Sequence, residues 1–202
     1  VILGHSMGSY FTRRYLTKYS RKVDGAILMG TGYVGRPAAW TGRFLAGAFC
    51  RFKGDRYRSA PLHKLVLGGN NRRIRELETE NDWLSRNRES VEAYGRDPYC
   101  SFRFTAGAYR DFFSILWDLA GKKDFDHMDR SLPVLFVSGE EDPVGGYGKG
   151  VRECFRQFKA MGFQDVTMKL YPGDRHEILN ELDRAVVYDD IEAWIRKVLN
   201  DH

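Results

Sequence analysis

The chain has 202 residues, of which 43% are hydrophobic, 14% aromatic and 29% charged, with a formal net charge of +5. That length suits one domain, or one domain with an insertion, and the composition is ordinary for a soluble globular protein. No apolar run approaches the ~20 residues of a membrane span, and the start is not expected to be a signal peptide, because only three apolar residues precede Gly4 and none of them is basic.

The opening "VILGHSMGSYFTRRYL" reads as a strand, a tight turn carrying a serine, and a helix. Tyr10, Phe11, Tyr15 and Leu16 fall at roughly helical spacing. In "VDGAILMGTG" the apolar run Ala26–Met29, bounded by glycines, suits a buried parallel strand. From residue 33 to 127 the character changes. "WTGRFLAGAFCRF", "NRRIRELETENDWL" and "TAGAYRDFFSILWDLA" each carry a short helical pattern, and no convincing strand interrupts them. Residues 36–75 also hold ten Lys/Arg against the single acid Asp55. Such a face is either solvated or attracts anionic substrates, a membrane surface or nucleic acid.

Strand character returns in "LPVLFVSGEEDP", where Pro133 precedes Val134-Leu135-Phe136-Val137. "GKGVRECFRQFKAMG" then aligns Val151, Phe155, Phe158 and Met161, with Gly162 as its C-terminal cap. "DVTMKLYPG" predicts a further strand alternating through Val166, Met168 and Leu170. "RAVVYDDIEAWIRKVLN" predicts an amphipathic helix with Ala185, Tyr188, Ile191, Ile195 and Leu199 near one face. Strands alternating with helices predict an α/β fold with a parallel sheet, interrupted by a helical insertion. Cys50, Cys100 and Cys154 are far apart and odd in number. They imply neither a disulfide framework nor a metal knot, and they fit a reducing, cytoplasmic setting.

Gly4-x-Ser6-x-Gly8 between strand and helix is the nucleophile-elbow pattern. The turn strains the serine backbone, and the two glycines are expected to remove side chains that would clash. The N–H of Met7, at a helix N-terminus, is placed to donate to an oxyanion. A serine hydroxyl needs a base, and the base needs an orienting acid. Asp142 follows the third predicted strand and His176 the fourth, in the order Ser, acid, His. Glu140 and Glu141 are rival acids, but the Asp-Pro position is the better placed. His63, His127 and His202 are expected to be structural or solvated, His5 to pack against or line the site, and Asp174 to form a loop. Trp40, Phe44, Leu45, Phe49, Phe52, Phe112, Phe113 and Trp117 suit either an acyl pocket or helix packing.

"GHSMGS", "PVLFVSGEEDPVGGYGKGV" and "YPGDRHEILNE" resemble the α/β-hydrolase superfamily serine hydrolases related to monoacylglycerol lipases and lysophospholipases, the serine aminopeptidase S33 group. "DWLSRN" and "CSFRFTAGAYRDF" resemble the lid of bacterial members. The resemblance covers essentially the whole chain. It implies an α/β-hydrolase fold with core residues 1–32 and 128–202 and a lid over 33–127. It also implies Ser6 as nucleophile, Asp142 as acid and His176 as base, cleavage of carboxylic esters of lipids or small acyl groups, and no cofactor or metal. Family members carry a further ~100 residues ahead of the elbow, with several strands and a loop giving the second oxyanion N–H. The chain is therefore expected to be an N-terminally truncated member. Losing one oxyanion donor costs ~10²–10³ in rate, so it is expected to be weakly active or inactive alone. An aminopeptidase and a non-catalytic scaffold are the alternatives. The implied partner is a small acyl ester, with transient membrane-surface contact through the basic lid. Nucleic acid is not expected, since no recognised motif accompanies the basic stretch.

Overall fold

A computed structural model of the chain describes residues 1–100 and 102–200; His202 lies outside the described residues. Four parallel strands, β1 (Ile2–His5), β2 (Ala26–Met29), β3 (Val134–Gly139) and β4 (Val166–Tyr171), stand side by side in chain order. In register, Gly4 faces Leu28, Leu28 faces Phe136, and Phe136 faces Met168.

β2 and β3 are buried along their whole length. Their continuous apolar runs follow from that, because a central parallel strand is covered on both faces. Alternate residues divide between two cores, as the two-residue period of a strand requires. Ala26, Leu28, Val134 and Phe136 pack with one cluster, which holds α1 (Met7–Tyr19), α5 (Ala106–Ala120) and α6 (Lys149–Ala160). Ile27, Met29, Leu135 and Val137 pack on the other side against α7 (Arg184–Asn200).

Between β2 and β3 helices alternate with turns and loops. The chain runs through α2 (Arg36–Lys53), α3 (Ala60–Leu67), α4 (Arg88–Arg96) and α5. α5 lies against both α2 and α1, which ties this segment to the elbow helix. Thr105 caps α5 by accepting from the Ala108 N–H, and Ser59 caps α3 through Leu62 N–H.

The structure corrects three helical expectations. Residues 71–84 do not form a helix beyond a 3₁₀ turn at Asp82–Leu84. Asp82 accepts from the N–H groups of Glu78 and Thr79, while the Asn71 side chain bonds the carbonyls of Thr79 and Glu80 and the Trp83 N–H. Side chains of this kind offer the backbone alternative partners, and here they win over helix propensity. The buried face of α7 is also turned from the expected one. Val187, Ile191, Trp194 and Val198 are buried, whereas Tyr188 and Leu199 are exposed. Burying Trp194 removes more apolar surface, and Tyr188 keeps its hydroxyl bonded to the Leu179 carbonyl at 2.7 Å. In α1, likewise, Tyr10 and Leu16 are buried while Phe11 and Tyr15 are exposed. Helix α6 ends at Ala160, and Gly162 follows with φ 86, just beyond the cap position.

Candidate active site

β1 runs directly into α1, and Ser6 is the residue between them. Its backbone sits at φ 53, ψ −124, a conformation that costs a non-glycine residue ~1–3 kcal/mol. The surroundings hold it there: the Ser6 N–H bonds the Met29 carbonyl at 3.0 Å, and the Ser6 carbonyl accepts from both the N–H and the hydroxyl of Ser9. A Cβ on Gly4 would lie 2.3 Å from Thr12 Oγ1 and 2.5 Å from the Gly8 carbonyl oxygen, so the strand can pass the helix only as glycine. A Cβ on Gly8 would meet nothing within 4 Å. The expectation that both glycines prevent clashes is therefore corrected, because the crowding lies on the strand side alone. Met7 is the first residue of α1, where a backbone N–H finds no partner within its own helix. The helix dipole adds positive potential at that point.

Asp142 lies just beyond β3, and His176 lies beyond β4. The structure brings them together: His176 Nδ1 is 2.9 Å from Asp142 Oδ1, with both side chains buried. Asp142 also accepts from the Val144 N–H at 2.8 Å and the Ser138 hydroxyl at 3.1 Å. Burial pushes its carboxyl pKa up, but the imidazole and these donors outweigh burial, and it stays below the ordinary carboxylate value. A carboxylate that accepts at Nδ1 fixes the tautomer that leaves Nε2 as the acceptor. His176 Nε2 is buried and has no hydrogen-bond partner, Ser6 Oγ included. Serine–histidine contacts are often loose in free enzymes and tighten on substrate binding.

His5, beside Ser6, places its ring 4.7 Å from that of His176 and its Nε2 3.2 Å from the His176 carbonyl. Burial, and then the neighbouring His176, lower its pKa to about 4. His5 thus lines the site as a neutral ring. Trp83 covers His176 with ring centroids 4.9 Å apart. The rival acids stand elsewhere: Glu140 faces Arg152, and Glu141 lines a 160 Å³ cavity with Arg73, Tyr147 and Arg175. That cavity does not include Ser6. His63 bonds the Tyr109 hydroxyl, and His127 ends a 3₁₀ turn.

Two features escape sequence reasoning. A Cβ on Gly139, the last residue of β3, would lie 2.1 Å from the Asp174 carbonyl oxygen and 2.2 Å from that of Arg175. The histidine loop therefore rests directly on the end of β3. Asp174 is more than a loop former: it is buried and accepts a hydrogen bond from the Arg86 guanidinium. Among the described residues, Asp174, Glu181 and Asp183 are the acids close enough to share a cation, and the Arg86 guanidinium contacts all three. Of the apolar side chains offered for a pocket, Phe113 is buried, Phe49, Phe112 and Trp117 are half-buried, and Trp40, Phe44, Leu45 and Phe52 are exposed.

The chain matches the serine aminopeptidase S33 family over residues 1–183. It is 25% identical over 199 residues to a monoacylglycerol lipase of Mycolicibacterium smegmatis, covering 96% of this chain and 61% of that protein. Its fold superimposes on a thermostable carboxyl esterase from Bacillus coagulans, solved with glycerol, with a TM-score of 0.86 at 28% identity, over 97% of this chain and 64% of the esterase. A lipase in its open form gives a TM-score of 0.82 at 26% identity, over 98% of this chain and 64% of the lipase. The chain thus spans somewhat less than two thirds of the length of these relatives. A parallel sheet flanked by helices, an elbow and a match along 183 residues lead to one assignment: the chain belongs to the serine aminopeptidase S33 family of α/β-hydrolases.

Proposed function

We propose that the chain carries the nucleophile, acid and base of a serine hydrolase that cleaves carboxylic esters of the acylglycerol or lysophospholipid kind. The observation behind this reading is the buried His176–Asp142 pair with a free Nε2, at the sheet end where Ser6 is held in a strained elbow. The names of the relatives, a monoacylglycerol lipase and a carboxyl esterase crystallised with glycerol, support the substrate class.

In this mechanism Ser6 Oγ attacks the ester carbonyl and His176 Nε2 takes its proton. Asp142 stays ionised, holds Nδ1–H and stabilises the imidazolium. A second cation at His5 would oppose that imidazolium, and a pKa near 4 keeps His5 uncharged at neutral pH. The Met7 N–H donates to the tetrahedral oxyanion. The C–O bond to the alcohol then breaks as His176 returns the proton, leaving an acyl-Ser6 that water hydrolyses with His176 again as base.

On α2, Trp40, Phe44 and Phe52 are 55%, 61% and 80% exposed, and Arg43 and Arg51 share their 520 Å³ groove. An aromatic and basic face of this kind supports transient contact with a lipid surface. Co-sedimentation with phosphatidylglycerol vesicles, lost in Phe44→Glu, tests it. The free cysteines support a cytoplasmic setting. No described helix is long and apolar enough to cross a membrane.

The test compares the full-length natural protein with its Ser6→Ala variant on p-nitrophenyl and glyceryl esters, with fluorophosphonate labelling of Ser6. Equal rates and no labelling would sink the mechanism. Turnover of prolyl anilides in place of esters would replace it with an aminopeptidase.

A further inference from the structure

The histidine loop is held by more than Asp142. From Asp174 to Glu181 it lies along residues 82–86, which precede α4 and stand some ninety positions earlier in the chain. The Glu177 N–H bonds the Leu84 carbonyl at 2.7 Å, and the His176 N–H bonds the Trp83 carbonyl at 3.4 Å. Arg175 Nη1 reaches the carbonyls of Asp82 at 2.6 Å and Ser85 at 3.2 Å. The Ser85 hydroxyl donates to the Asn180 carbonyl at 3.3 Å.

One side chain crosslinks the two strips. Arg86 Nε bonds Glu181 Oε2 at 3.1 Å, and its Nη2 bonds Asp183 Oδ1 at 2.9 Å and also Asp174 Oδ1. Glu181 is fully buried and accepts from the backbone N–H groups of Arg86 at 2.9 Å, Arg175 at 3.0 Å and Leu182 at 3.2 Å. Its carboxylate therefore ties residue 86, residue 175 and the guanidinium into one unit. The strip itself is stiff, since Asp82 closes the turn over residues 78–82 and pairs with Arg88 at 3.3 Å.

We propose that Arg86 is a positioning residue for His176: by clamping Asp174, Glu181 and Asp183 it locks the histidine loop onto residues 82–86 and fixes where Nε2 points. This rests on the serine-hydrolase reading given above. The physical argument is the buried charge. Without the guanidinium, Glu181 is an uncompensated carboxylate in a dry site, which is costly. The loop relieves that cost by swinging Glu181 toward water, and its residues Arg175–Glu177 leave the carbonyls of 82–85 with it. Displacing a catalytic group by about 1 Å is enough to cost ~100-fold in rate. Arg86 does this work through a planar fork that meets several carboxylates at fixed angles, which the point charge of lysine does not reproduce.

The test uses Arg86→Lys and Arg86→Ala in the full-length protein, with four readouts: thermal midpoint, fraction of sites titrated by fluorophosphonate, kcat and KM per titrated site, and the downfield proton resonance of His176 Nδ1–H. Arg86→Lys keeps the counter-charge, so it should fold with a midpoint within a few degrees of the parent. Its kcat per titrated site should fall ~10–100-fold with little change in KM, and the Nδ1–H resonance should shift or broaden. Arg86→Ala should lose more; if it does not fold, the lysine variant decides. A merely structural role would lower the titrated fraction and leave kcat per site and the resonance unchanged, and that result in Arg86→Lys overturns the proposal. If the parent itself is not labelled at Ser6, it is the serine-hydrolase reading that fails, while an unshifted Nδ1–H resonance in Arg86→Lys still refutes the clamp on its own.

Discussion

Gly139→Ala probes how closely the histidine loop is seated. The added Cβ would lie 2.1 Å and 2.2 Å from the carbonyl oxygens of Asp174 and Arg175. Both are backbone atoms, so no side-chain rotation relieves the contact. An ordinary contact needs ~3.2 Å or more, and the loop must retreat by about 1 Å. The retreat stretches the Glu141 N–H to Asp174 carbonyl bond, now 2.9 Å, and draws His176 away from Asp142. Overpacking of this type costs ~1–3 kcal/mol, which for a chain of this size lowers the thermal midpoint by roughly 3–10 °C. The catalytic effect should be larger in proportion, because a 1 Å error at the base costs ~100-fold in kcat. Ester hydrolysis per titrated active site, with calorimetry on the same samples, measures both. A variant with parental kcat and parental midpoint would show that the loop does not rest on β3 as described.

Gly8→Ala is the matching control: its Cβ enters open space within α1, so the midpoint should hold or rise by the equivalent of up to ~1 kcal/mol, and a clear drop would refute the assignment of crowding to the strand side. Asp174 supplies a pH prediction. Burial, and then the Glu181 charge, raise its pKa from 3.8 to about 7. The folded state keeps this proton across a range where the unfolded state has lost it, so this group's contribution to stability is lost as pH rises from about 4 to about 7. Asp174→Asn removes the titration, and the unfolding free energies from urea titrations at pH 5 and pH 8 should differ less in the variant than in the parent, by on the order of 2 kcal/mol. Equal pH slopes for the two proteins would count against a raised Asp174.

The sequence made legible what local pattern and chain order encode. Ala26–Met29 and Val134–Val137 are continuous apolar runs because both faces of those strands are covered, and the structure buries every residue of them. That Asp142 and His176 each stand just past a strand is legible in the chain order, and folding makes them neighbours. What stayed hidden depends on partners distant in sequence or on space that only the packed chain defines. Residues 71–84 have helical periodicity, yet the side chains of Asn71 and Asp82 redirect the backbone, and periodicity does not register that competition. Gly4 and Gly8 look equivalent in the motif, and only the crossing of Gly4 with α1 separates them.

The clamp is the strongest case of hidden information. Arg86 and Asp174 are 88 positions apart; the sequence offers Asp174 only as a loop former and Arg86 only as part of a lid-like stretch. Their meaning lies in the geometry they impose on the residues between Asp174 and Glu181. Gly139 supports that stretch from the sheet, and residues 82–86 hold it from the other segment. The histidine is thereby placed from two directions by residues that carry no chemistry of their own. A single side chain in a mobile loop could not meet the tolerance of a proton transfer, and a loop pinned at only one edge would pivot about it. Two supports, one steric and one ionic, remove that freedom, and on the proposed reading the setting of the base depends on residues outside the trio of Ser6, Asp142 and His176.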